Sequence, residues 1–283
     1  MNSLNNRTAL ITGSTDGIGK QTALGLAERG WDVVLTGRNI DKGNSMLTEL
    51  KKINPYGNFN FYSVDFSSQK SIRSLADRIN NEIPFIHVLI NNVGLFTSKR
   101  KESVDGMELM LAVNYLSAFL FSNLLLEKLK KSMKTRIVNV TGGAYKFGKV
   151  NFEDLNHKKG FGSFKALGQA KLCNILFTYE SERRWSKFGI HSIAVDPGAA
   201  KTPGQNEHSI FLLKWLLPLI GTSTKIAAYS SIEAATSSIY EGVGGIFLNK
   251  KGKPEESSTS SKDENAAREL WEMSCKMVNI SPK

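Results

Sequence analysis

The stretch TGSTDGIG, Thr12 to Gly19, follows a short apolar run and opens a helical pattern. Glycines at 13, 17 and 19 let main chain come close to a pyrophosphate, and the positive end of the following helix favours its charge. Gly13, Ser14, Asp16, Gly17, Ile18 and Gly19 are therefore candidate ligands for the diphosphate of a dinucleotide. A glycine-rich turn without a ligand is the alternative, and the strand–turn–helix context argues against it. About twenty residues on, LTGRN places Gly37 where an NAD site wants an acid for the ribose hydroxyls, and Arg38 follows directly. A guanidinium matches a 2′-phosphate geometrically. Ser14 is expected to add a hydrogen bond there, so NADP(H) is preferred over NAD(H).

The elements that must hold these residues read plainly. Apolar runs at Thr8–Thr12, Asp32–Thr36, Phe59–Val64, Ile86–Ile90, Arg136–Thr141 and His191–Asp196 have the continuous hydrophobicity of buried parallel strands, and Gly245–Asn249 is expected as a seventh. Between them lie amphipathic helices, one with Ile72, Leu75, Ala76 and Ile79 on one face, another with Leu172, Ile175, Leu176 and Tyr179. Such alternation means an α/β fold: a single doubly wound Rossmann-type domain of about seven parallel strands with helices on both faces. The domain is expected over 1–250, with a C-terminal extension over 251–283 ending in a helix around Ala266–Met277. Ligands of such sheets bind at the carboxyl ends of the strands.

The chain has 283 residues, enough for one large core, with 41% hydrophobic and 22% charged residues. Two cysteines, Cys173 and Cys275, offer no disulfide framework and fit a reducing cytoplasm. The N-terminus has no signal-peptide pattern and no anchoring helix, so a cytoplasmic location is expected. The net charge of +11 is spread over Lys99–Lys101, Lys128–Arg136, His157–Lys159 and Asn249–Lys253. Scattered clusters of this kind read as solvated surface rather than a nucleic-acid stripe. No metal site is expected.

The spacing Gly-x-x-x-Gly-Ile-Gly resembles the short-chain dehydrogenase/reductase family, and further motifs follow in order. NNVG, Asn91 to Gly94, is similar to the family's Asn-Asn-Ala-Gly. AVNYLSAF supplies Asn114, and DPGAAKT, Asp196 to Thr202, resembles its Pro-Gly loop. RIVNVTGGAYKFGKVNFEDLN and the tail NAARELWEMSCKMV look like the retinol-dehydrogenase-like branch. The resemblance implies an adenine contact at Asp65, cofactor contacts at Asn91, Gly94, Pro197, Gly198 and Thr202, and an active-site asparagine at Asn114. It also implies that Lys171 holds the nicotinamide ribose.

In that family a tyrosine four residues before the lysine donates the proton, and a serine after the fifth strand binds the substrate oxygen. Here those positions are Leu167 and Gly142. The resemblance therefore points to an atypical member, with Asn114 and Lys171 kept and both oxygen-contacting groups gone. A second Tyr-x-x-x-Lys, Tyr145 to Lys149, sits among glycines with no helical stripe after it, so the two side chains are not expected on one face. Tyr145 alone remains a candidate proton donor, with Thr141 and Tyr115 as further hydroxyls nearby and Lys171 as a direct participant. General acid catalysis is typically worth ~10²–10⁴-fold, about 3–5 kcal/mol of barrier. Its loss argues against efficient ketone reduction but leaves hydride transfer open, since a charged iminium needs no such proton.

The segment 203–225 is expected to be a substrate lid. Phe211, Leu212, Leu213, Trp215, Leu216 and Leu217 are too many apolar side chains to leave exposed without reason. They suit a lipophilic small-molecule substrate, with peripheral membrane contact through 209–220 or homodimer packing as alternatives. The expected function is an atypical NADP(H)-dependent oxidoreductase transferring hydride to or from a lipophilic small molecule. The alternatives are an NADP(H)-binding pseudoenzyme or interaction protein, and a non-redox enzyme such as a cyclase on the same pocket.

Overall fold

A computed structural model describes residues 7–132, 134–198 and 223–282. Seven strands form one sheet: β1 (Thr8–Ile11), β2 (Asp32–Gly37), β3 (Phe59–Ser63), β4 (Val88–Asn91), β5 (Thr135–Val140), β6 (Ile190–Val195) and β7 (Ile246–Leu248). All pairings are parallel, in the order β3-β2-β1-β4-β5-β6-β7. The order reverses beside β1, which opens a crevice between the loops after β1 and β4. Strand edges differ from the sequence expectation by one or two residues. The doubly wound architecture is as expected.

Helices start where capping chemistry dictates. Asp16 accepts from Gly17 N to begin α1 (Gly17–Ala27), Asn39 accepts from Lys42 N at α2 (Ile40–Ile53), and Ser68 from Ser71 N at α3 (Gln69–Glu82). At α4 (Leu109–Leu111) the buried Glu108 carboxylate accepts from Met110 N at 2.9 Å and Leu111 N at 2.7 Å. Burial still raises the carboxyl above its usual range despite those two bonds. The helix then widens into a π turn, Ala112–Leu116, before continuing as α5 (Ser117–Leu124) and α6 (Leu126–Lys131). A π turn inserts one extra residue into the helical wall, a device frequent at functional sites. Here it carries Asn114.

Two apolar layers sandwich the sheet. On one face α1 and α2 bury Leu26, Met46 and Leu50 against Ile11, Val33 and Leu35. On the other, α3, α5 and α7 (Ser163–Trp185) pack on Leu10, Leu89 and Ile137. Beyond α8 (Thr224–Ala227) and α9 (Tyr229–Thr236), the chain ends in α10 (Glu264–Met277). Trp271 of α10 stands edge-on to Phe119 at 5.0 Å and to Trp185 at 5.3 Å. The C-terminal helix thus completes the core beside α7 rather than lying apart from it. Among the described residues no helix is long and apolar enough to cross a membrane.

Candidate active site

The loop between β1 and α1 has the shape its glycines allow. Gly13 and Gly17 adopt left-handed φ of +64° and +58°. A β-carbon on Gly19 would overlap the Gly13 carbonyl oxygen, so no larger residue fits there. The main-chain amides of Ile18 and Gly19, in the first turn of α1, donate to no acceptor among the described residues. Unpaired amides at a helix N-terminus are what a phosphate requires. Asp16 lies at the same place, with its carboxylate on Gly17 N at 2.8 Å and on the Lys42 ammonium at 2.6 Å. Burial would raise its pKa, but Lys42 and the Gly17 amide outweigh that and lower it.

Two expectations about this loop need correction. Ser14 is fully buried, its hydroxyl accepting from Thr36 N at 2.9 Å and lying 3.3 Å from Thr36 O, so it ties α1's loop to β2 and is not free for a 2′-phosphate. The half-buried residue at that end is Thr15, which rests on Gly37; a β-carbon on Gly37 would lie 2.8 Å from the Thr15 side chain. Asn91 also points the wrong way. It is buried, donating to Ser122 Oγ at 3.1 Å and Asn139 Oδ1 at 2.8 Å. Side chains alternate along a strand, and it is Asn92 that reaches the loop, bonding Thr12 O at 2.9 Å and Gly13 O at 3.0 Å.

Arg38 is exposed just past β2. Asp65 is exposed beyond β3, one carboxylate oxygen taken by the Ser67 amide and hydroxyl at 2.9 and 2.8 Å. Pro197 is buried and Gly198 has φ +74°. Thr202 and the lid residues from Phe211 to Leu217 lie outside the described residues, as does the 209–220 segment.

At the other end of the crevice the π turn, the loop after β4 and α7 converge. Asn114 locks Leu95 with both halves of its amide, accepting from Leu95 N at 2.7 Å and donating to Leu95 O at 2.9 Å. Its own carbonyl accepts from Asn174 Nδ2 at 2.7 Å. A β-carbon on Gly94 would lie 2.9 Å from Asn114 Oδ1 and 3.6 Å from Lys171 Nζ. Glycine is thus what allows the asparagine, the lysine and the loop to meet. Among the described residues the Lys171 ammonium makes one hydrogen bond, a long one of 3.4 Å to Val140 O. Burial pushes its ammonium down to about 8, while Asp196 acts in the opposite sense.

Leu167, one turn before Lys171, belongs to a small apolar cluster with Leu95, Phe96, Met110, Phe161 and Ala166. The wall beside Lys171 is therefore hydrocarbon. Gly142 adopts φ +139° and ψ 153°, a conformation essentially restricted to glycine.

The three hydroxyls left open by the sequence are all committed elsewhere. Tyr145 sits in a 3₁₀ turn, Gly143–Phe147, 1% exposed and packed 5.3 Å from the Phe247 ring. Burial, then Glu255 and Asp196, raise its phenol pKa, and it accepts from the main chain of Ser258. It faces the C-terminal segment, which removes it as the proton donor. Lys149 is exposed while Tyr145 is buried, so that pair shares no face. Thr141 donates to Lys171 O at 3.0 Å, and Tyr115 bonds Ser274 of α10 at 2.7 Å.

The fold, the glycine-rich loop and the Asn114–Lys171 pair define a short-chain dehydrogenase. The model of that family matches residues 7–210, and the chain belongs to it. Retinol dehydrogenase 12 of Mus musculus is 34% identical over 275 residues, covering 97% of this chain and 87% of that protein. Retinol dehydrogenase 11 of Homo sapiens is 33% identical over 276 residues, covering 97% and 86%. Among solved structures, an uncharacterised protein from Mycobacterium paratuberculosis superposes with a TM-score of 0.80 at 28% identity, over 99% of this chain and 96% of that one. The family's fold binds NAD(P), and the unpaired amides of α1 together with the basic Arg38 and Lys42 fit that group.

Proposed function

We propose that the protein is an NADP(H)-dependent oxidoreductase with a non-standard active site, acting on a lipophilic small molecule. The observation that carries this reading is the juxtaposition at Gly94. Asn114 and Lys171 meet there, while Leu167 replaces the family's proton donor with hydrocarbon. The oxidoreductase family supports the reaction class. The choice of NADP(H) rests on Gly37, against which the Thr15 side chain is packed, and on the exposed Arg38, whose guanidinium has no partner among the described residues. The lipophilic substrate rests on the Leu95–Phe161–Leu167 wall and on relatives named for retinol.

When bound, the dinucleotide supplies or takes a hydride. The protein's own part is to seat the diphosphate on the α1 amides, to hold the nicotinamide ribose with Lys171, and to fix the loop after β4 through Asn114. Two buried free thiols, Cys173 and Cys275, suit a reducing compartment, and the cytoplasm is the proposed location.

The test is calorimetric titration with NADPH and NADH, followed by NADPH oxidation over a panel of lipophilic carbonyls, enones and iminium ions. Tighter NADPH binding with consumption on at least one panel member supports the reading. Binding with no consumption on any of them transfers support to a cofactor-binding interaction protein or a non-redox enzyme.

A further inference from the structure

With the family's tyrosine absent and Tyr145 turned away, the site holds one group among the described residues able to release a proton. We infer that Lys171 is itself the proton donor of this chain, with Asp196 at the carboxyl end of β6 as its positioning residue. This rests on the oxidoreductase reading above.

The geometry comes from three elements. Lys171 projects from α7 to Gly94, beside the Asn114 amide, and spends one of its three protons on a 3.4 Å contact to Val140 O. Two donors remain, one for a ribose hydroxyl and one for an oxygen on the substrate side. Leu167, one turn earlier on α7, offers no polar atom to compete for that second donor. Asp196 stands at the carboxyl end of β6, half-buried. One of its oxygens is fixed by Gly198 N at 2.8 Å; the other lies 3.8 Å from where a β-carbon of Gly143 would be. It forms no ion pair with the described residues. Val195, just before it, pairs with Val140, whose carbonyl takes the Lys171 contact, so the carboxylate sits at the same strand ends and its charge opposes loss of the Lys171 proton.

The electrostatics suit an acid rather than a bystander. A desolvated lysine sheds its proton more readily than one in water, and a carboxylate nearby stops it from being lost altogether. The result, about 8, lies close to working pH, where a general acid is both protonated and willing to donate. In the reduction, the carbonyl carbon gains a hydride from a reduced nicotinamide dinucleotide and the oxygen gains the proton leaving Lys171 Nζ. The neutral amine then takes a proton from solvent. An ordinary member of the fold routes this proton through a phenol that Lys171 no longer has.

Competitive acetylation of Lys171 with acetic anhydride, read by mass spectrometry across pH in the cofactor-free protein, reports its titration directly. Alongside it runs the pH profile of kcat/KM for whichever panel carbonyl is reduced. Wild type should show a labelling midpoint near 8 and lose activity as pH rises through the same value. Asp196→Asn keeps the Gly198 cap but not the charge, and should move both midpoints to lower pH. Asp196→Glu should restore them. Turnover whose pH profile ignores Asp196→Asn, or that survives Lys171→Met, overturns the donor role and leaves the oxidoreductase reading in place. NADPH that binds and is never oxidised overturns both.

Discussion

Gly37 is pressed against Thr15: a β-carbon on the glycine would lie 2.8 Å from both the methyl and the hydroxyl of the threonine. The end of β2 therefore has no room for the acid that selects NAD in dinucleotide folds of this type. Arg38, next in the chain, is exposed. Arg38→Ala should cost about 1–3 kcal/mol of the preference for NADPH over NADH, the scale of charge-assisted hydrogen bonds. Gly37→Asp alone should not install an NAD preference, and should do so only with Thr15→Gly. Calorimetric affinities of the three variants for both nucleotides check this. Equal affinities in the wild type would sink it.

Gly142 limits how far the site can be returned to the family's form. Its φ of +139° and ψ of 153° are nearly closed to residues with a β-carbon. Open space surrounds the position, so any cost comes from the backbone and not from a clash. Gly142→Ser should lower stability by about 1–3 kcal/mol, seen in a denaturant unfolding curve. A serine accepted without loss would mean that the loop readily takes another conformation.

Leu167→Tyr should not by itself make a ketone reductase. The side chain sits among Leu95, Phe96 and Phe161, and the serine that would share the substrate oxygen has no backbone to stand on at Gly142. Steady-state turnover of a neutral ketone should stay far below the roughly 10²-fold gain that restoring a general acid brings. A gain of that size would show an ordinary pocket that has merely lost its acid.

His157 gives the fold a pH dependence of its own. It is 1% exposed, with both ring nitrogens unpartnered among the described residues and its ring edge-on to Phe161. Burial, then Lys165, lower its pKa below 6.5, while Asp154 opposes them. The unfolded chain binds the proton first, so stability is fully present above about 6.5 and falls as pH drops through the depressed folded value. His157→Asn cannot titrate and tolerates the left-handed φ of +45°. Its stability should fall less between pH 6.5 and 5 than that of wild type. Parallel curves would refute the assignment.

The parallel sheet, its doubly wound class and the glycine-rich loop after β1 were legible because they rest on local signals: continuous apolar runs, and glycines between a strand and a helix. Which atom faces which way was less so. Asn91 and Asn92 are adjacent and chemically identical, and only the pleat at the end of β4 decides that the second reaches Gly13. Period-two alternation from Leu89 would have given the sign. Ser14 was read as a ligand because hydroxyls suit phosphates, but β2 claims it through Thr36. Tyr145 lies close in sequence to the catalytic loop, yet the aromatic surface of Phe247, about a hundred residues on, turns it away. The π turn that carries Asn114 left no mark in the residue pattern.

Under the proposed function, hydride is transferred at a site without the family's tyrosine. The most direct measurement incubates the protein with NADPH deuterated at the transferring carbon and a panel of lipophilic carbonyl, enone and iminium compounds, then analyses each product by mass spectrometry. One deuterium should appear in a lipophilic product, and Lys171→Ala should abolish that label through weaker cofactor binding. Bound NADPH with no deuterium transferred to any compound would contradict it.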